Sequence, residues 1–84
     1  MIHELRILPE YYDAVINGLK TFEIRKDDRG YRVGDTLRLR EYDPDKAKYT
    51  NRSTRVIVHY LLRYDDAPGL IKEGMIVMAI RRAA

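Results

Sequence analysis

The chain has 84 residues, no cysteine and no tryptophan, and carries 16 Lys plus Arg against 13 Asp plus Glu, a formal net charge of +3. With 45% of positions apolar, a chain this short hides roughly 60–65% of its unfolded surface, enough for one core and too little for two, so a single domain over residues 1–84 is expected. The missing cysteine excludes a disulfide framework, a thiolate metal site and a cysteine nucleophile, and the longest apolar runs, Ala14 to Ile16 and Met75 to Ile80, fall far short of the roughly 20 residues of a membrane span.

No leader, membrane partner or cofactor is expected, and a cytoplasmic location fits. The chain has no internal repeat or low-complexity tract, and most of its elements read as strands. Residues 2–7 alternate, with His3, Leu5 and Ile7 on one parity and Glu4 and Arg6 on the other, the period-two pattern of a half-buried strand. Pro9 ends it and opens a short helix over residues 9–17, since proline's missing donor is harmless in a first turn. Tyr12, Val15, Ile16 and Leu19 supply its apolar stripe, and Gly18 its stop.

Period two returns from Lys20 to Arg25, with Phe22 and Ile24 on one face and Thr21, Glu23 and Arg25 on the other. A charged loop over 26–34 leads through the Gly34, Asp35 turn into a third strand, residues 36–41, with Leu37 and Leu39 inward and Arg38 and Arg40 outward. Residues 42–54 carry turn chemistry at Asp43, Pro44, Asp45 and again at Thr50, Asn51, Arg52, and read as a hairpin arm. Residues 55–63 are apolar on both parities, which predicts a central strand covered on two sides. A further turn region, 64–74, precedes a last strand, 75–80. Five short strands and one early helix predict an α+β, mainly β fold: a small antiparallel barrel with one or two short helices, closed so that few strand edges stay unpaired.

Charge placement is more informative than the total. Residues 20–40 hold seven basic and four acidic side chains, and arginine outnumbers lysine eleven to five, which favours forked recognition of phosphate or carboxylate. The densest polar group is Gly18, Lys20, Thr21, Glu23 and Arg25. Residues two apart on a strand share a face about 6.5–7 Å apart, so Thr21, Glu23 and Arg25 form a row that Lys20 can join. Such a row can accept from an exocyclic amine through Glu23 and grip phosphate through Arg25 and Lys20.

His3 is expected to be a bonded strand residue near this group and His59 an outward one; their separation has no metal-ligand spacing, so no metal is expected. Among the seven tyrosines, Tyr12 and Tyr60 fall on apolar faces and are expected in the core. Tyr31, Tyr42, Tyr49 and Tyr64 sit in loops beside arginines, and Tyr31 and Tyr42 are the first candidates for a base-stacking rim. Asp27 and Asp28, flanked by Lys26 and Arg29, read as loop solvation.

The segment Gly18, Leu19, Lys20, Thr21, Phe22, Glu23, Ile24, Arg25 resembles the GxKxxExR pattern of ASCH domains of the PUA-like superfamily. The resemblance extends over residues 3–80, through His3 to Leu5, Pro9 to Tyr11, Arg25 to Arg29, Val33 to Asp35 and Leu39 to Asp43, to the bacterial and phage family DUF3850. It implies a PUA-like, ASCH-type barrel that binds RNA or a nucleotide-like ligand in a cleft lined by Lys20, Glu23 and Arg25. Some ASCH relatives hydrolyse acetylated cytidine with a threonine where this chain has Glu23, so the same chemistry is not expected here. A hydrolase of a modified nucleoside or RNA using Glu23 as base and Lys20 or Arg25 as charge stabiliser is the first alternative. A phage-type accessory module binding a protein through residues 42–54 is the second.

Overall fold

The computed structural model describes residues 1–83. Its elements run β1 (Ile2–Ile7), α1 (Pro9–Ile16), β2 (Phe22–Lys26), β3 (Thr36–Asp43), β4 (Lys48–Arg63), a single 3-10 turn at Tyr64–Asp66, and β5 (Met75–Arg82). Among the described residues no helix is long and apolar enough to cross a membrane.

The five strands form one sheet in the order β1-β3-β4-β5-β2. Three ladders are antiparallel, but β1 runs parallel to β3, with His3 opposite Leu37 and Leu5 opposite Leu39. The sheet is thus mainly antiparallel, and its parallel pair has a topological reason. The connection between β1 and β3 contains both α1 and β2, and a crossover that long can return a strand in the same direction. On the way β2 crosses to the far edge and pairs with β5.

The two edge strands, β1 and β2, are therefore neighbours in sequence, and the sheet curls until they approach each other. Side chains span the gap where no backbone ladder does: Arg25 Nη2 donates to the Arg6 carbonyl at 2.8 Å and Arg29 Nη1 to the Glu4 carbonyl at 3.1 Å. The result is a curled half-barrel with an open seam, not a closed barrel. Guanidinium groups satisfy edge carbonyls that a sixth strand would otherwise have taken.

Leu5 and Ile7 of β1, Leu37 and Leu39 of β3, Val56 and Val58 of β4, and Ile76, Met78 and Ile80 of β5 point into the curl, where Tyr12 and Val15 of α1 cover them. The two-sided apolar pattern of residues 55–63 has a different cause from the one expected. The β4–β5 register slips between Val58 and Tyr60, where Val58 faces Ile80 and Tyr60 faces Ala79. The extra residue, His59, is a bulge that switches the inward parity from even to odd. Val56 and Val58 are buried before it and Leu61 packs on the core after it, while Tyr60 is 61% exposed. Tyr60 is thus on the surface, and β4 is covered on one face.

The arm at residues 42–54 is mostly strand. Asp43 Oδ1 accepts from the Asp45 N–H at 2.9 Å and closes the tip. Asn51, with φ of 73°, sits where the β3–β4 register is irregular. Glu41 is buried beneath the arm, and Arg52 forks onto it, Nε to Oε1 at 2.9 Å and Nη2 to Oε2 at 2.7 Å. The same Nη2 reaches Asp13 of α1 at 3.1 Å, tying the hairpin to the helix that roofs the core.

Candidate functional site

Helix α1 ends at Ile16, and Gly18 adopts φ of 74°. A side chain there would meet no atom within 4 Å, so glycine serves the left-handed backbone and not a close approach. The turn it makes lets the Leu19 and Lys20 amides both donate to the Ala14 carbonyl, at 2.9 and 3.0 Å, and aims Lys20 back toward β2.

Strand β2 has the expected partition of faces, but its polar parity turns inward. Glu23 is 2% exposed, while Phe22 and Ile24 are 45% and 56% exposed. A buried carboxylate needs partners on both oxygens, and it has them. Lys20 Nζ donates to Oε1 and also to the Phe22 carbonyl at 2.8 Å, and Arg25 Nε donates to Oε2 at 2.7 Å. Glu23 is the anchor on which two cations are fixed.

Counting donors shows what remains for a ligand. An ammonium has three and a guanidinium five. Two of the Lys20 protons and two of the Arg25 protons are used within the chain, which leaves about four, by the inventory of donor groups, unspent. They border a cavity of about 610 Å³ lined by Arg6, Lys20, Glu23 and Arg25 on its polar side and by Tyr11, Leu19, Phe22 and Ile24 among its apolar walls. Lys20 Nζ lies 5.2 Å from the Phe22 ring centre and 5.8 Å from that of Tyr11. The cleft thus presents aromatic surface beside fixed positive charge.

Of the residues singled out from sequence, Lys20, Glu23 and Arg25 come together. Thr21 does not join them: it precedes β2, its carbonyl accepts from Ile80 N–H at 2.9 Å, and it borders a separate hollow near Val15 and Arg82. His3 is buried in the core, its Nε2 2.8 Å from Asp35 Oδ2 and its ring edge-on to Tyr31. Tyr31 is only 1% exposed, so it is a core residue and not a rim; burial pushes its phenol pKa up. Asp35 also accepts from the Arg32 amide at 3.0 Å and the terminal amine at 3.2 Å. Although burial works to raise its pKa, these donors and His3 hold the carboxyl below its ordinary value.

Tyr42 lies on the outer face of the sheet, under the Arg6 guanidinium at 3.9 Å and edge-on to Tyr49. His59 is exposed at its bulge, and no group of three or more His, Asp or Glu that could hold a metal occurs among the described residues. Sequence reasoning missed Tyr11, Leu19, Phe22 and Ile24 as cleft walls. Leu19, assigned to the helix stripe, lies beyond the helix end and is 80% exposed. Apolar alternation reads the same for a core face and for a ligand face, so periodicity held no signal for them.

Fold and site together define a small, mainly β half-barrel protein whose polar side chains converge on an open seam. More particularly, the chain belongs to the family described as "Domain of unknown function (DUF3850)", whose profile matches residues 2–80. It is similar to the "Uncharacterized 12.9 kDa protein in GpA 3'region" of Escherichia phage P2, with 49% identity over 41 residues. That segment is 49% of this chain and 38% of the phage protein.

Proposed function

We propose that this domain binds single-stranded RNA in the cleft beside Glu23, and that its half-barrel is of the ASCH type within the PUA-like superfamily. The observation that carries the reading is the clamped cation pair, Lys20 and Arg25 on a buried carboxylate, at the mouth of a cavity of about 610 Å³ with aromatic walls. A ligand with both a planar apolar part and an anionic part fits those walls, and a nucleotide has both. The base lies between Tyr11 and Phe22, and the phosphate takes the unspent donors of Lys20 and Arg25.

Catalysis is not part of this proposal. A general base must reach the proton it takes, and Glu23 is 2% exposed with a cation on each oxygen. Glu23 acts as a positioning residue.

Fluorescence anisotropy with a labelled RNA trinucleotide tests the reading. Binding should weaken with added salt, by a slope of roughly −1.4 in log affinity against log salt if two phosphates are neutralised. It should fall at least tenfold in Lys20→Gln and in Arg25→Gln. No binding at 50 mM salt, or binding unaffected by either change, would sink the proposal.

A further inference from the structure

The outer face of β1, β3 and β4 carries an arrangement that the cleft does not explain. Arg38 stands directly opposite Arg55 in the β3–β4 ladder, and Arg6 beside Arg40 in the β1–β3 ladder. Like charges directly opposite one another destabilise a sheet. Glu4 is the one carboxylate among them: it pairs with Arg38 and lies 3.9 Å from Arg40. Four guanidinium groups against one carboxylate leave this face a net +3.

Two of these arginines are held in place. The Arg6 guanidinium sits 3.9 Å from the centre of the Tyr42 ring and that of Arg40 4.0 Å from Tyr49, and the two rings meet edge to face at 5.2 Å. Stacking on tyrosine fixes a guanidinium without using its N–H donors, so both remain open to an anion. Arg6, Arg29 and Arg40 line a hollow of about 360 Å³ on this side, and Arg6 also lines the 610 Å³ cleft. The positive surface is therefore continuous from the cleft onto the sheet.

We infer that the outer face of β1, β3 and β4 is a second binding surface, which tracks the phosphate backbone of the same RNA strand as it leaves the cleft past Arg6. The inference rests on the RNA reading of the cleft and adds the path of the chain. An anionic backbone relieves the Arg38–Arg55 and Arg6–Arg40 repulsions, and the stacked guanidinium planes of Arg6 and Arg40 offer platforms for bases.

The test compares the trinucleotide with an unstructured 12-nucleotide RNA on the wild type and on Arg40→Gln/Arg55→Gln. Neither residue lines the cleft. Losing two phosphate contacts at about 0.7 per phosphate should lower 12-mer affinity roughly 25-fold at 0.1 M salt and flatten its salt slope by about 1.4, while trinucleotide affinity stays the same. The variant should fold as the wild type does, with the same far-ultraviolet circular dichroism, because the lost stacking of Arg40 on Tyr49 is set against the relieved Arg6–Arg40 and Arg38–Arg55 repulsions; a variant that no longer folds would mark the arginines as structural and overturn the inference. A 12-mer that binds the variant as it binds the wild type overturns the second surface and leaves the cleft standing. If neither RNA binds the wild type, both readings fall together.

Discussion

Glu23→Gln isolates the physical basis of the cleft. The change keeps the shape of the side chain but replaces two equivalent acceptors by one carbonyl oxygen and one NH2 group. Since Lys20 and Arg25 approach opposite oxygens, whichever way the amide turns, one cation faces another donor. One charge-assisted hydrogen bond is lost, a net of about 1.5–3 kcal/mol, and a positive charge is left beside a buried group with no counterion. Removing one partner of a fully buried pair costs about 3–5 kcal/mol. The Lys20 and Arg25 side chains are 15% and 23% exposed, so solvent screens part of this, and we expect a loss of about 2–4 kcal/mol. For a domain of this size that lowers Tm by roughly 10–30 °C. Urea unfolding followed by circular dichroism measures it, with Glu10→Gln on the exposed side of α1 as control. A loss under about 1 kcal/mol, or one equal to the control, would refute the idea that Glu23 clamps the two cations. Replacing the whole cluster, as in Lys20→Met/Glu23→Leu/Arg25→Met, should cost less stability than Glu23→Gln alone, because no buried charge is then left unpaired.

Acid titration gives a second check. The Arg52 fork holds the Glu41 carboxyl below its ordinary 4.5, with Thr50 adding to it against the opposing effect of burial, and Asp35 is likewise held below 3.8. Both folded-state values lie under the unfolded ones, so their stabilisation is present above about pH 4.5 and is lost as pH falls through the folded values; Glu41→Gln should flatten that acid limb, and an unchanged limb would count against the fork. Tyr31→Ala should cost about 3–5 kcal/mol, as for other large core aromatics, whereas Tyr60→Ala should stay within about 0.5 kcal/mol; equilibrium unfolding of the pair would expose an error in their assigned burial if the order reversed. Arg25→Lys keeps the charge but cannot reach Glu23 and the Arg6 carbonyl together, so amide exchange at the β1 edge should quicken by about tenfold, in line with one lost charge-assisted bond. Unchanged protection there would mean that the seam is closed by other contacts.

Short-range physics left a clear imprint on this sequence. Alternation placed β1 over residues 2–7, where the structure has it, Pro9 and Gly18 bracketed the helix, and the spacing of Lys20, Glu23 and Arg25 put them within reach of one another, because such features depend on neighbours a few bonds away. What alternation cannot say is which face of a strand is buried. Glu23 goes inside and Phe22 and Ile24 stay out because two cations, one from the helix exit and one from the strand itself, meet the carboxylate there. Tyr31 is buried by His3 of β1, 28 positions away by residue number, and Tyr60 is turned outward by a one-residue bulge set by the β4–β5 register. The open seam and the parallel β1–β3 pair likewise follow from how the ends of the sheet meet. For Tyr31, Tyr60, the seam and the parallel pair, partners distant along the chain decide, and no local pattern of residues encodes them.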